Sequence, residues 1–206
     1  MSSEFVTTYN PPEKRRSYAE GGIEERLTEA GVMLALALHL LGSSHEGTVS
    51  IHPDGEHAKR FDIPEWLNRH GFCKVQALGK TAYGGIYRRG SETIRVDPRS
   101  GNCDVVGEID GQRVVIECKG GTINSRHAGQ LSRLRRGLCE AIGLLLARPP
   151  DGSREIAAVP WTVETARLAD RMAARCRRAG IDIALVRRDG SIDWAVTVQP
   201  TVSENG

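Results

Sequence analysis

Two acids and a lysine on either side of an Asp-Gly dipeptide are the residues best placed to do chemistry. Asp110-Gly111 lies between two alternating apolar segments, and this dipeptide favours the two-residue type I′ turn of a β-hairpin. With that turn, the hairpin register places Asp104 directly opposite Glu117. Residues so paired share one face of the sheet, with Cβ atoms roughly 4.5–5.5 Å apart. Lys119 follows Glu117 by two residues, so strand alternation puts it on the same face.

Two carboxylates that face each other in a sheet repel, and burial among the neighbouring valines and isoleucines strengthens the repulsion. A bound cation, the ammonium of Lys119 or protonation of one acid would relieve it. Carboxylate oxygens, together with a backbone carbonyl such as that of Cys118 and water, suit Mg²⁺ or Mn²⁺. The pattern therefore predicts metal-assisted phosphodiester hydrolysis, with Lys119 beside the attacking water. The alternative is an exposed hairpin whose acids and lysine are solvated.

This arrangement resembles the PD-(D/E)xK signature of the restriction-endonuclease-like nucleases. Asp104 matches the first acid, and Glu117-Cys118-Lys119 follows after twelve intervening residues, while Cys103 stands where the family has a proline. In that family the acids hold a divalent metal and the lysine assists the attacking water. The resemblance covers residues 102–147 well and the rest of the chain loosely. It also implies a homodimer, because many relatives pair to cut two strands.

The resemblance further implies two supporting residues. Gln130 borders the apolar stripe of the helix after the hairpin, where related nucleases often carry a glutamine that supports the metal site. Glu24 is predicted at the start of the first helix, where relatives often place an additional acid, although Glu20 and Glu25 compete for that role. Each has an ordinary alternative: Gln130 could be a solvated helix residue, and an acid near a helix N-terminus is favourable by itself.

The elements that must position these residues are clearest after residue 102. Apolar periodicity there predicts the order β-β-α-β-α-β, preceded by an amphipathic helix from Ile23 to about Gly42. The fold class is therefore α/β, with a central mixed β-sheet flanked by helices. The resemblance implies a restriction-endonuclease-like core in α-β-β-β-α-β-α-β order, in which the strand at 91–96 is the first of a three-stranded meander with the hairpin. The remaining elements are predicted as strands at 104–109, 113–118, 155–162, 181–187 and 192–198, and helices at 126–147 and 163–179.

A single nuclease-like domain is predicted over residues 20–198, after a flexible N-terminal arm at 1–19 and before a tail at 199–206. Within it, residues 43–101 form an insertion or specificity region. A short helix at 63–70 and a hairpin around Arg89-Gly90-Ser91 are its readable elements.

Composition excludes several other classes. The chain has 206 residues, 39% of them hydrophobic, and a net charge of +2, so it is neither a histone-like polyelectrolyte nor a disordered tail. Its longest apolar stretch, Val32–Leu41, is too short to cross a membrane. Five cysteines without C-x-x-C spacing predict reduced thiols and a cytoplasmic location. Gly79-Lys80-Thr81 lacks the P-loop glycine, because Lys74 stands there, so no nucleotide cofactor is expected.

Arginine is unusually abundant, with 23 residues against 5 lysines. Residues 124–148 hold five arginines and one glutamate, as a phosphate-binding surface beside the site requires. We expect nucleic acid, and DNA first, as the partner, contacted by Arg126, Arg133 and Arg136. Two alternatives stay open: a catalytically silent nucleic-acid-binding module on the same fold, and a regulatory subunit whose arginines hold an acidic protein.

The acid pair can be tested without knowing the substrate. Mg²⁺ or Mn²⁺ should raise the melting temperature, because a ligand that binds only the folded state stabilises it by roughly 2.7 kcal/mol at a hundredfold excess over Kd. Asp104→Asn should abolish this shift while leaving metal-free stability unchanged or higher. Differential scanning fluorimetry measures both, and an intact metal shift in Asp104→Asn would show that the metal binds elsewhere.

Overall fold

A large mixed β-sheet forms the centre of the structure, a computed structural model that describes residues 4–44, 46–53, 61–99 and 101–195. The strands are β1 (Val6–Tyr9), β2 (Glu24–Leu27), β3 (Gly47–Ile51), β4 (Cys73–Ala77), β5 (Gly85–Arg89), β6 (Glu92–Val96), β7 (Val105–Ile109), β8 (Gln112–Cys118), β9 (Gly121–Thr122), β10 (Arg154–Pro160), β11 (Ile181–Val186) and β12 (Ile192–Trp194). Nine of them form one sheet in the order β12-β11-β10-β8-β7-β3-β6-β5-β4, and β1, β2 and β9 form a small second sheet.

Helices cover both faces of the large sheet. They are α1 (Glu13–Arg16), α2 (Glu29–Gly42), α3 (Ile63–Arg69), α4 (Ala128–Leu146) and α5 (Val163–Arg178), with a 3₁₀ turn at Glu20–Gly22. The apolar core on one face contains α2, and the core on the other contains the apolar sides of α4 and α5. The predicted α/β class, a mixed sheet flanked by helices, is confirmed. No helix in the described part of the chain is long and apolar enough to cross a membrane.

The hairpin that carries the acid pair has the predicted register. Ile109 pairs with Gln112 and Val105 with Ile116, so β7 and β8 are joined by the two-residue turn Asp110-Gly111. Both turn residues have positive φ, 47° for Asp110 and 78° for Gly111, as a type I′ turn requires. Local turn chemistry therefore determines which residues of the two strands face each other.

Most other elements lie where the apolar periodicity predicts them. The short helix of the 43–101 region is α3, and its hairpin is β5–β6. Helices α4 and α5 and strands β10 and β11 agree with the prediction within one or two residues at most ends. The edge strand predicted at 192–198 is described only as β12, Ile192–Trp194, and the tail at 199–206 lies outside the described residues.

The first helix begins six residues later than predicted. Ile23 and Leu27 fit helical spacing, but residues 24–27 form β2, between β1 and β9. Helix α2 starts after Thr28, whose Oγ1 accepts a hydrogen bond from the backbone N–H of Gly31 at 3.1 Å. This is an N-cap, and it separates the strand from the helix. The pairing of β2 with β9, about a hundred residues away, has no local signal.

The strand next to the hairpin is also different from the predicted one. Strand β3 pairs antiparallel with β7, and β6, predicted to take that place, lies parallel to β3 one strand further out. The 43–101 region is therefore continuous with the main sheet, because it contributes β3, β4, β5 and β6 to it.

The N-terminal segment, expected as a flexible arm, is folded from residue 5 onward. Phe5 is 6% exposed, and its ring contacts that of Trp66 edge-on, with centroids 5.1 Å apart. Strand β1 pairs with all four residues of β2. The segment therefore covers the α2 side of the core, and this explains why α2 is buried on nearly all sides rather than amphipathic.

Phe5→Ala should lower the free energy of unfolding by about 3–5 kcal/mol, the usual cost of emptying a buried aromatic site. Urea denaturation measures it. Thr8→Ala, on an exposed residue of the same segment, serves as the control and should change stability by about 0.5 kcal/mol or less. Equal, small effects of the two substitutions would mean that the segment contributes nothing to the core.

Candidate active site

The carboxyl groups of Asp104 and Glu117 meet at the open end of the β7–β8 hairpin. The ladder ends at Val105 opposite Ile116, and the next step places Asp104 opposite Glu117. Oδ2 of Asp104 accepts a hydrogen bond from the backbone N–H of Cys118 at 2.7 Å, which holds this carboxyl against β8. An asparagine at position 104 could accept the same bond through its carbonyl oxygen. Glu117 is only 6% exposed and lies largely out of water, while Asp104 is half-buried.

The close approach of the two acids changes how Glu117 ionises. Burial raises the pKa of Glu117 to about 7, aided by the charge of Asp104 and by a hydrogen bond between the two carboxyls. The positive charges of Lys119 and Arg148 oppose this pKa shift only in part. Near neutral pH Glu117 is therefore protonated for part of the time, which relieves the repulsion between the two carboxyls. Protonation of one acid is one of the three ways of relieving it that the sequence predicted.

Lys119 lies between the end of β8 and helix α4. Its Nζ is 3.6 Å from Oε1 of Glu140, and its backbone N–H donates to the carbonyl of Ala158 on β10 at 2.9 Å. Helix α4 approaches closely here because residue 137 is a glycine: a Cβ added to Gly137 would lie 3.1 Å from Cβ of Lys119. The side chain is thus confined between the sheet and the helix.

Lys119 is held in its charged form. Burial lowers the pKa of Lys119, but four surrounding carboxylates outweigh it and raise this pKa above its ordinary value. In decreasing order of effect they are Glu29, Asp104, Glu140 and Glu117. At neutral pH the residue therefore supplies a positive charge and hydrogen-bond donors, and it does not act as a proton acceptor.

Cys118 contributes its backbone rather than its thiol. Its side chain is fully buried in the core on the α2 face, opposite the acids, as alternation predicts. Its N–H points to Asp104, and in an extended strand the N–H and C=O of one residue point to the same side. The carbonyl of Cys118 is therefore directed toward the Asp104 strand, where the sequence placed it as a metal ligand.

Glu29 is an acid of the site that the sequence reasoning missed. It lies in the first turn of α2, and its carboxylate has the largest charge effect on the pKa of Lys119. Gly120 makes this proximity possible, because a Cβ there would lie 2.4 Å from the backbone nitrogen of Glu29 and 2.7 Å from the carbonyl carbon of Thr28. The local signal was Thr28 followed by an acid, which is typical of an N-cap and first turn.

Glu24 does not start a helix, and its surroundings differ from those of a free carboxylate ligand. It lies in β2 with no solvent exposure. Its oxygens are 3.0 Å from a guanidinium nitrogen of Arg26 and 3.5 Å from Nε of Arg15. Two arginines thus already neutralise it. As the acid at the start of the first helix, Glu29 occupies the place that the sequence assigned to Glu24.

Gln130 connects the buried carboxylate of Glu24 to a surface cleft. It is 5% exposed, and its Nε2 lies 3.5 Å from Oε1 of Glu24. Together with Glu29 it lines a cleft of about 220 Å³ between β2, the start of α2, β9 and α4. The other lining residues are Arg26, Leu27, Thr28, Gly120, Gly121, Thr122 and Arg133. The cleft therefore begins at the residue that follows Lys119.

The predicted phosphate-binding arginines surround the same region. Arg126, Arg133 and Arg136 are all exposed: Arg126 precedes α4, and Arg133 and Arg136 lie in its first half. Of these, Arg133 lines the cleft itself. The backbone N–H of Arg126 donates to the carbonyl of Tyr18 at 2.9 Å, so the N-terminal segment reaches this edge of the site.

His52, the residue after β3, connects that strand to the backbone of Asp104. Its backbone N–H donates to the carbonyl of Asp104 at 2.9 Å, which fixes the backbone of that residue between β3 and β8. Its Nδ1 is 3.0 Å from the carbonyl oxygen of Arg99. Asp104 is thus held by both neighbouring strands.

Within the described residues, no three side chains of His, Cys, Asp or Glu are grouped so that they alone could hold a metal ion. Asp104 and Glu117 offer two carboxylates, and the carbonyl of Cys118 offers a third oxygen. This donor set fits Mg²⁺, which is usually held by one or two carboxylates and keeps several waters. It does not suit a metal that needs a closed cage of side chains.

Comparison with models of protein families, with curated proteins and with solved structures finds no match to this chain. Function must therefore be argued from the chemistry of the site.

The raised pKa of Glu117 predicts a pH dependence of stability in metal-free protein. Its pKa is about 7 in the folded state and has an ordinary value of 4.5, so the folded state binds the proton more tightly. This contribution is full below about pH 4.5 and is lost as pH rises through 7, by roughly 1–3 kcal/mol. Urea denaturation at several pH values measures it. Glu117→Gln should be less sensitive to pH over this range, and equal slopes would contradict the shift.

Proposed function

We propose that this protein is a divalent-metal-dependent nuclease that hydrolyses phosphodiester bonds, with DNA as the first substrate to test. One observation carries the proposal: the carboxyls of Asp104 and Glu117 meet at a buried hairpin end beside Lys119, which is held as a cation. A purely structural hairpin gains nothing from two opposed acids out of water, since they repel. A site that binds a divalent cation does gain from two opposed acids, because both carboxylates can hold the cation.

The element order supports a restriction-endonuclease-like core. With the excursion through α3 and β4–β6 set aside, the chain runs α2-β3-β7-β8-α4-β10-α5-β11. This is the α-β-β-β-α-β-α-β order expected from the resemblance, with β3 in place of the strand at 91–96. The meander β3-β7-β8 is antiparallel and β10 adds to β8 in parallel, so the acids lie at the middle of the sheet.

In this proposal Asp104, Glu117 and the carbonyl of Cys118 hold Mg²⁺ or Mn²⁺. The bound metal would supply a polarised phosphate and a more acidic water. Lys119 supplies a fixed positive charge beside the scissile phosphate, where negative charge increases during hydrolysis. The charge of Glu29 helps to keep that ammonium protonated, and Glu140 forms an ion pair with it. Gln130 joins the cleft wall to the buried Glu24.

The arginines supply the substrate contacts. Arg133 lines the cleft, Arg126 and Arg136 are exposed on the same segment of the chain, and guanidinium binds phosphate oxygens in a bidentate manner. A homodimer, expected from the resemblance, stays a prediction that light scattering of the purified protein tests.

Lys119→Ala should reduce Mg²⁺- or Mn²⁺-dependent cleavage by about a hundredfold or more, the usual loss when one electrostatic stabiliser is removed. Glu29→Gln should reduce cleavage less, because it leaves the ammonium itself and removes only a charge that keeps it protonated. Initial rates on a panel of linear, supercoiled, branched and single-stranded DNA, and RNA, measure the effect.

Glu140→Gln is the matched control. Glu140 forms an ion pair with Lys119, but its side chain is 61% exposed, so its loss should change the rate only a few-fold. Circular dichroism confirms that each variant is folded. If no substrate is cut with either metal, the proposal fails. Metal-independent binding that Lys119→Ala leaves unchanged would instead favour a silent binding module.

A further inference from the structure

We infer that the surface beside the cleft binds single-stranded nucleic acid, with Tyr9 and Tyr18 as stacking platforms for unpaired bases. This inference rests on the proposed function, because it assigns the form of nucleic acid that the same site receives.

The exposed aromatic rings lie on one short segment of the chain, before β2. Among the described residues, Tyr9 and Tyr18 are the most exposed of the tryptophans, tyrosines and phenylalanines, at 43% and 45%. Ile23, 44% exposed, lies between them and β2 in the chain. Every other tryptophan, tyrosine and phenylalanine in that part of the chain is at least partly buried. Two exposed rings and an isoleucine on this segment offer apolar faces on which unpaired bases can stack.

Tyr9 is joined to the cleft through Arg26. It is the last residue of β1 and pairs with Glu24 of β2. The guanidinium of Arg26 lies 4.3 Å from the centroid of its ring, and Arg26 also lines the cleft. A cation over an aromatic ring beside a cleft can bind a phosphate while the ring contacts the attached base.

Tyr18 is joined to the arginine-rich start of α4. Its ring is perpendicular to that of His127, with centroids 5.1 Å apart, and His127 is the N-cap of α4. Its carbonyl accepts the N–H of Arg126, and Arg133 follows on the cleft wall. Tyr9 therefore has a guanidinium against its ring, and the backbone of Tyr18 is fixed beside that of the exposed Arg126.

This combination favours a single strand over a duplex. In a duplex the base faces are stacked inside and only edges and phosphates are accessible, so exposed rings would gain little. In a single strand every base offers a π-face, and grooves with basic and aromatic side chains use it without sequence preference. The arrangement of exposed rings and nearby arginines matches that mode.

Binding is measured in EDTA by fluorescence anisotropy, with fluorescein-labelled oligothymidylate of about twelve nucleotides and a duplex of equal length as probes. An oligouridylate is titrated in parallel, because stacking and phosphate contacts are common to DNA and RNA. We expect either single strand to bind at least about tenfold more tightly than the duplex. Tyr9→Leu and Tyr18→Leu should each weaken single-strand binding about fivefold or more, and duplex binding little.

Tyr9→Phe and Tyr18→Phe keep the ring and should bind like the natural protein. Leu146→Ala, at an exposed apolar residue at the far end of α4, is the remote control and should have no effect. Equal or tighter duplex binding, or leucine variants that bind single strands normally, would overturn the inference. Metal-dependent cleavage in those cases would leave the proposed function standing, whereas tight single-strand binding without any cleavage would overturn only the proposed function.

Discussion

The register of the β7–β8 hairpin is the constraint on which the rest of this structure depends. The two-residue turn at Asp110-Gly111 sets the pairing of β7 with β8, and that pairing leaves Asp104 no position other than opposite Glu117. A slip of one residue would move Glu117 to the α2 face and Cys118 to the site. The hydrogen bond from the backbone N–H of Cys118 to the carboxyl group of Asp104 then fixes the position of that carboxyl beside Glu117. The repulsion between the two carboxyls is opposed by Lys119, two residues after Glu117, and by Arg148. Acids from two helices, Glu29 and Glu140, in turn keep Lys119 charged.

The site is therefore an arrangement of charges that balance one another. Glu117 is pushed toward its neutral form by burial and by Asp104, while Lys119 is kept charged by the carboxylates around it. Behind the cleft, Glu24 is neutralised by Arg15 and Arg26. In each case a buried or half-buried ion has opposite charges close by, some from the same strand and others from elements distant in the chain. Removing one member leaves its partners uncompensated, which is more costly than losing an exposed ion pair.

Short-range signals were sufficient for the hairpin, for α3–α5 and for the two parallel strands after α4, since turn residues and apolar spacing determine these locally. They failed where a partner is distant. Residues 24–27 satisfy a helical spacing, yet they pair with β1 and β9, and only the cap at Thr28 marks the change. Because the first helix was predicted to begin six residues too early, Glu29 was not recognised as the first residue of α2 and as an acid of the site. That β3, rather than β6, lies beside β7 is likewise determined by the order of strands in the sheet. The apolar periodicity of a sequence does not contain that order.

The two glycines after Lys119 have a consequence for how the site responds to a charge. Gly120 lets the backbone pass within contact distance of the β2–α2 junction, and Gly121 does the same against Leu134 of α4, where a Cβ would lie 2.4 Å from a leucine methyl. The segment is thus wedged between two elements before any ligand arrives. An ammonium held in this way is preorganised: it need not be reoriented, nor exchange one set of solvent dipoles for another, when a negative group comes near. The reorganisation that water would have to undergo around a free lysine has already taken place during folding.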